Sequence, residues 1–158
     1  MPETVDGFDG LDDMFSAIDR DVQEIDWREF FLDQADRLEG DHKTYFDEAR
    51  SPRGTPWAKL AASTIRRKGH DKILIDTGRL IKSLTQRGGD AIREPFVSGN
   101  MAGLVFGTSV PYAHFHMSGT RYMPARPEVG VTEERLQKLQ SQVGGAVVET
   151  IIKPKGNF

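Results

Sequence analysis

"AIREPFVSGNMAGLVFG", residues 91–107, sets two apolar-rich runs, 91–97 and 101–107, on either side of Ser98-Gly99-Asn100. Val97, Leu104, Val105 and Phe106 on runs of this length, with a Gly-Asn turn signal between them, predict a β-hairpin. The chain on both sides has a different period, so the sheet is bracketed by helices.

Toward the amino terminus, Leu11, Met14, Phe15, Ile18, Val22 and Ile25 recur every three or four residues, which predicts a helix over 11–25. Asp12 and Asp13 fall in its first turn, where carboxylates favour the helix dipole. Asp26 and Glu29 resemble a capping pair. A second stripe follows at Phe31, Ala35, Leu38, Tyr45, Phe46 and Ala49, on a helix either bent at Gly40 or continuous with the first. Residues 1–10 lack periodicity and read as a flexible lead-in. "SPRGTPW", residues 51–57, stops the helix with two prolines and a glycine, and Trp57 is large enough to demand burial. Between it and the hairpin lie the apolar run Ile73-Leu74-Ile75, then Asp76 and Thr77, whose side chains can bond the backbone of the turn at Gly78. "RLIKSL", residues 79–84, is a helical turn or the start of a strand.

Beyond the hairpin, Thr132 caps a last helix with Glu133 and Glu134 in its first turn and a stripe at Leu136, Leu139, Val143, Val147 and Ile151. The tail, 153–158, is expected to fray. The fold class is α+β: an antiparallel sheet packed with N-terminal helices and a C-terminal helix. At 158 residues the expectation is a single domain over 11–152, with an acidic helical part at 11–50.

The chain has no cysteine, which excludes disulfides, thiolate zinc sites and cysteine nucleophiles. No stretch is apolar enough to cross a membrane, and the amino terminus lacks the order of a secretory signal, so the chain is expected to stay in the cytoplasm where it is made. Its net charge of -3 is unevenly spread. Residues 1–50 hold sixteen Asp/Glu and five Lys/Arg, net -11, whereas residues 51–158 hold eight and sixteen, net +8. An acidic helical segment is either a solvated face or one half of a complementary pair, met within the fold or between copies.

"PYAHFHMSGTRYMPARP", residues 111–127, is the stretch richest in chemistry. His114 and His116 share a side only on a strand, since two residues on a helix are about 200° apart. A catalytic zinc needs three protein ligands, and the nearest following acid is Glu128. Ser109 and Ser118 flank the histidines without a Gly-x-Ser-x-Gly elbow. No catalytic residue, metal or cofactor is therefore expected. Pro124 and Pro127 lock an extended path, with Arg126 expected to point stiffly outward between them. "RRKGHDK", residues 66–72, is the densest basic run; Arg66, Arg67 and Lys68 are candidate contacts to DNA phosphates, and a solvated loop explains them equally well.

The succession of these features resembles the bacteriophage virion morphogenesis family, the tail completion and head-tail joining proteins of tailed phages. The resemblance runs over roughly 45–152. It begins with Trp57 after the Pro/Gly turn and "ILIDTGRLIKSL", which carries Asp76, Gly78, Arg79, Leu80 and Ser83. A strand ending in Gly107-Thr108 follows, then Tyr112-Ala113 with His116, Gly119-Thr120, and Met123 to Pro127 with Pro124 and Arg126. "EVG" after Pro127 replaces the bulky apolar pair that the family pattern carries.

The resemblance implies a structural protein without catalysis, located in the virion at the head-tail junction after assembly in the host cytoplasm. Its partners would be further copies of itself in a ring, tail-tube or head-connector proteins, and non-specifically the passing DNA. A ring would set the acidic part of one copy against the basic part of the next, a heterologous contact. The alternative is a DNA-binding accessory protein using the basic run 66–72.

Overall fold

The computed structural model describes residues 9–152. In order these form α1 (Asp9–Gln23), α2 (Trp27–Asp47), α3 (Ala62–Lys68), α4 (Arg79–Thr85), β1 (Ala91–Ser98), β2 (Met101–Thr108), α5 (Ala113–Ser118) and α6 (Glu133–Ile152). Six helices and one antiparallel pair among the described residues make the fold α+β, as the periodicities predict. The expected lead-in lies outside the described residues up to residue 8, while Asp9 and Gly10 already belong to α1. The tail 153–158 also lies outside them.

The chain divides into two compact units, one of residues 27–136 and one that contains residues 9–26 and 137–152. In the larger unit, α2 packs on α4 and on both strands. The strands pair antiparallel from Ala91 opposite Thr108 to Ser98 opposite Met101. Gly99, at φ 57°, is the first residue of the two-residue loop, where a hairpin reverses with a left-handed backbone. Pro95 is tolerated because both strands of a two-stranded ribbon are edges. Phe96 lies over its cross-strand partner Gly103, where a Cβ would come within 2.6 Å of the ring.

The core of this unit joins Phe46, Trp57, Leu80, Leu84, Val110 and Ala113, with Ile73, Leu74, Ile75 and Phe106 packed around it. Burying a side chain such as Leu84 stabilises by about 1.5–3 kcal/mol. The second stripe is real: α2 buries Ala35, Leu38, Tyr45 and Phe46 on one face. Glu24 to Asp26 separate α1 from α2, so the two are not one continuous helix, and α2 runs helical through Gly40. "RLIKSL" resolves as α4, opened by Gly78 at φ 81°. The basic run is no solvated loop at its start: Arg66, Arg67 and Lys68 form the last turn of α3, where cations favour the dipole, and Gly69 at φ 76° ends it.

The complementary charges meet within this unit. Asp36 of α2 pairs with Arg87 at 2.6 Å, Asp41 with Arg135 at 2.7 Å, and Glu39 with Arg93. Arg93 also lies 5.3 Å from the centroid of the Phe106 ring. Thr132 caps α6 as expected, its Oγ1 accepting from the Arg135 N–H at 3.0 Å.

The smaller unit is helical. Along α1 the stripe residues Leu11, Met14 and Phe15 remain 43%, 47% and 61% exposed. In α6, Leu139, Val143 and Val147 are half-buried while Leu136 and Ile151 are exposed. Among the described residues no helix is long and apolar enough to cross a membrane.

Candidate functional site

Three local reversals bring distant segments of the larger unit together around a groove. Gly69 turns the chain back after α3, Leu74 takes φ 56° between Ile73 and Ile75, and Gly78 opens α4. Thr77 Oγ1 accepts from the Arg79 N–H at 3.4 Å, the side-chain-to-backbone bond expected of this turn. The third wall is α5 with the turn that follows it. There the Thr120 N–H donates to the Met123 carbonyl at 2.8 Å and Thr120 Oγ1 accepts from the Tyr122 N–H at 3.2 Å. This turn lifts Tyr122 to 86% exposure.

The resulting cavity is about 870 Å³. Leu60, Leu74, Ile75 and Met123 give it apolar walls, Tyr112, Phe115 and Tyr122 an aromatic side, and Lys59, Arg67 and Lys68 a cationic rim. Asp76, Gly78, Arg79, Leu80, His116, Pro124 and Arg126 line it too, so seven of the residues singled out by the family resemblance converge with Tyr112 here. Arg79 is held by a bidentate pair with Asp90 at 2.6 and 2.8 Å, which keeps the Asp90 carboxyl below its usual range.

Arg126 does not point outward. It is 5% exposed, its Nε donates to the Ala58 carbonyl at 2.8 Å and its Nη2 to the Lys59 carbonyl at 3.2 Å. Its own N–H donates to the His116 carbonyl at 2.7 Å. The extended path set by the prolines carries the guanidinium inward, where its planar fork donates to two backbone carbonyls.

The two histidines lie on α5, so they face different sides of a helix and share no ligand position. His116 is half-buried beside the Tyr112 ring, and burial, then the nearby Arg126 charge, lower its pKa. His114 is exposed against Phe115. Ser118 Oγ donates to the His114 carbonyl at 2.9 Å and Ser109 Oγ to the Asp90 carbonyl at 3.2 Å. Each hydroxyl is thus engaged by a carbonyl and not by an imidazole. Among the described residues no group of three or more His, Cys, Asp and Glu side chains could hold a metal.

The remaining motif residues support the walls. Trp57 is buried, and its Nε1 donates to the Pro127 carbonyl at 3.0 Å. Ser83 Oγ donates to the Leu80 carbonyl at 2.7 Å and lies 2.7 Å from Thr108 Oγ1, which ties α4 to the end of β2. Ala113 is in the core. Gly119, at φ 72° and ψ 177°, has no room for a Cβ, which would meet the Ala125 nitrogen at 2.8 Å. Of the basic run, Arg67 lies 3.6 Å from Asp76 and Lys68 Nζ donates to the Lys72 carbonyl at 2.6 Å, while Arg66 is exposed and does not line the groove.

Two buried polar groups went unnoticed in the sequence as structural elements. His42 is fully buried; its Nδ1 donates to the Leu38 carbonyl at 2.7 Å and its Nε2 accepts from the Gly130 N–H at 3.4 Å. Its position four residues after Leu38 on the α2 stripe is the signal that could have found it. Glu128 is fully buried without a hydrogen-bond partner for either carboxyl oxygen, and burial raises its pKa to about 7. No periodicity marks a residue in an extended loop, so nothing in the sequence reveals that burial.

The model of the phage virion morphogenesis family matches residues 8–147, most of the chain. No curated protein and no solved structure matches it.

Proposed function

We propose that this chain, which belongs to the phage virion morphogenesis family, serves at the head-tail junction as a ring that joins the tail to the DNA-filled capsid. Its role lies in building the virion. The observation that carries this reading is the apolar stripe of α1, where Leu11, Met14 and Phe15 stand exposed on an acidic helix. Large apolar side chains clustered on a surface mark a site of protein association. A ring of identical copies uses a heterologous contact, which joins two different patches and closes only when the rotation per subunit divides a full turn. The partners are further copies of the chain and the tail-tube or connector proteins that the ring abuts.

A DNA-binding accessory role has weaker support. Arg66, Arg67 and Lys68 are successive residues on α3 and so fan out by about 100° each, and two of them already contact Asp76 and the Lys72 carbonyl. Contact with passing DNA is compatible with a ring but does not require tight binding.

Electron microscopy of the concentrated protein, alone and mixed with tail tubes, tests the reading. Rings of uniform diameter, free or capping tubes, are the expected result. A protein that stays monomeric and never associates with tubes or capsids would overturn it. Salt-dependent binding to random DNA, lost when Arg66, Arg67 and Lys68 become Ala, would favour the accessory role instead.

A further inference from the structure

Two surfaces of this chain are complementary in apolar character and in charge. The first is the apolar stripe of α1: Leu11, Met14 and Phe15 are exposed, with Ile18 half-buried in line with them. At 100° per residue, Asp12 and Asp19 fall about 80–100° round the helix from Leu11, so they flank the stripe on the side of Phe15. The second is the groove. It combines apolar walls with three aromatic rings, of which Tyr122 is 86%, Phe115 46% and Tyr112 38% exposed. Lys59 stands exposed along its rim, as does Arg67, whose solvent-exposed pair with Asp76 is loose at 3.6 Å. Asp33, Asp36, Glu39 and Asp41 of α2 meet their cations within the larger unit, whereas Asp12 and Asp13 of α1 enter no ion pair among the described residues.

We infer that α1 of one copy docks in the groove of a second copy, its Leu11-Met14-Phe15 stripe against Phe115 and Tyr122 and its Asp12 and Asp19 toward Lys59 and Arg67. The inference rests on the ring reading above and names the contact that makes the ring. An amphipathic helix laid into an apolar groove is read through anchors at i, i+3, i+4 and i+7, and Leu11, Met14, Phe15 and Ile18 have that spacing. Tyr122 has the character of an anchor: a large, stiff side chain held on a two-bonded turn and not buried by its own chain. Stripe and groove are different patches, so the contact is heterologous and propagates from copy to copy. The rim charges orient the helix; the apolar anchors hold it.

Charge also selects the occupant. A cationic, aromatic groove could accept single-stranded nucleic acid, by phosphate contacts and base stacking. The same chain carries an acidic helix with an uncovered apolar face, which accounts for the walls as well as the rim.

The absence of native cysteine allows a direct test with the full chain. Ser16 is exposed beside the stripe and Arg121 is exposed beside Tyr122. S16C and R121C proteins are mixed at high concentration and treated with a short bismaleimide. The expected product is a dimer cross-linked from residue 16 of one chain to residue 121 of the other, in excess of dimers from either protein alone. Phe15→Ser in the S16C chain should abolish it. Asp12→Lys with Asp19→Lys should raise the dissociation constant about three- to tenfold, as the loss of two exposed pairs allows, and that difference should vanish near 1 M salt, where the Debye length is about 3 Å. Rings that form without the 16–121 cross-link would overturn this contact and leave the ring reading standing. Monomers without cross-link at every concentration would overturn both. A single-stranded oligonucleotide that binds the unlabelled chain and is lost with Tyr122→Ala would assign the groove to nucleic acid and overturn the docking of α1.

Discussion

Arg126 donates from Nε to the carbonyl of Ala58 at 2.8 Å, across 68 positions of sequence, from a site only 5% exposed to solvent. Together with the Trp57 bond to Pro127 it clamps the 124–127 segment against the 57–59 segment and so fixes one side of the groove.

Arg126→Ala should therefore act on folding before it acts on assembly. It leaves the Ala58 and Lys59 carbonyls without their charged donor, a loss of about 1.5–3 kcal/mol. Arg126→Lys should recover little of it, because an ammonium cannot reproduce the planar fork. Urea denaturation followed by tryptophan fluorescence measures both; an alanine variant as stable as the parent would contradict the clamp.

Glu128 should make stability depend on pH in a definite direction. Its pKa rises from an ordinary 4.5 to about 7 because burial penalises the charged form. The folded state therefore holds the proton more tightly than the unfolded state. Its contribution is fully present below about pH 4.5 and is lost as pH rises through about 7, a range worth up to about 3 kcal/mol. Glu128→Gln should be more stable than the parent at pH 8, and this advantage should shrink toward pH 5. Unfolding midpoints of the two proteins at both pH values provide the check, and a difference that does not vary with pH would refute it.

His42 should contribute the opposite slope. Burial lowers its pKa, so the folded state favours the neutral ring that bridges Leu38 and Gly130. The stability it supplies is present above its unfolded pKa of 6.5 and is lost as pH falls through the lower folded value. His42→Ala should cost about 2–4 kcal/mol at pH 8, from lost packing against Phe106 and two lost hydrogen bonds. That cost should be smaller at pH 5, as a pair of denaturation curves would reveal.

Gly119→Ala should disturb the groove without touching a charge. Its backbone at φ 72° and ψ 177° lies in a region nearly confined to glycine, and the added Cβ would press on the Ala125 nitrogen. A penalty of about 1–3 kcal/mol is expected from the backbone alone, with a melting temperature several degrees lower. Gly40→Ala, where a Cβ meets nothing within 4 Å inside α2, is the control and should be neutral or stabilising.

Much of the fold is legible in local sequence, because the hairpin, α2 and α6 each advertise themselves through a period and a terminator. Two apolar-rich runs flank the turn at Gly99, Ala35 to Phe46 follow the helical stripe, and Thr132 caps the helix it precedes. The break between α1 and α2 was less legible, since the stripe runs on through Ile25 while the backbone turns at residues 24–26. The motif residues were legible as a succession but not as a site. That Asp76, Arg79, Tyr112, His116 and Arg126 surround one groove follows from reversals at Gly69, Leu74 and Gly78, which no periodicity reports.

The sequence by itself determined the hairpin, the long helices α1, α2 and α6, the burial of Trp57, and the family resemblance, because these depend on residue spacing and on motifs read in order. Only the tertiary structure decided which charges are surface and which are structural. Composition cannot distinguish Arg126, turned inward to two carbonyls, from Arg66, left in solvent. Nor can it distinguish Asp36 and Asp41 of α2, paired across the fold, from Asp12 and Asp13 of α1, which enter no ion pair among the described residues. The physical reason is that a charge's role is set by the partners within a few ångströms of it, and those partners are distant in sequence.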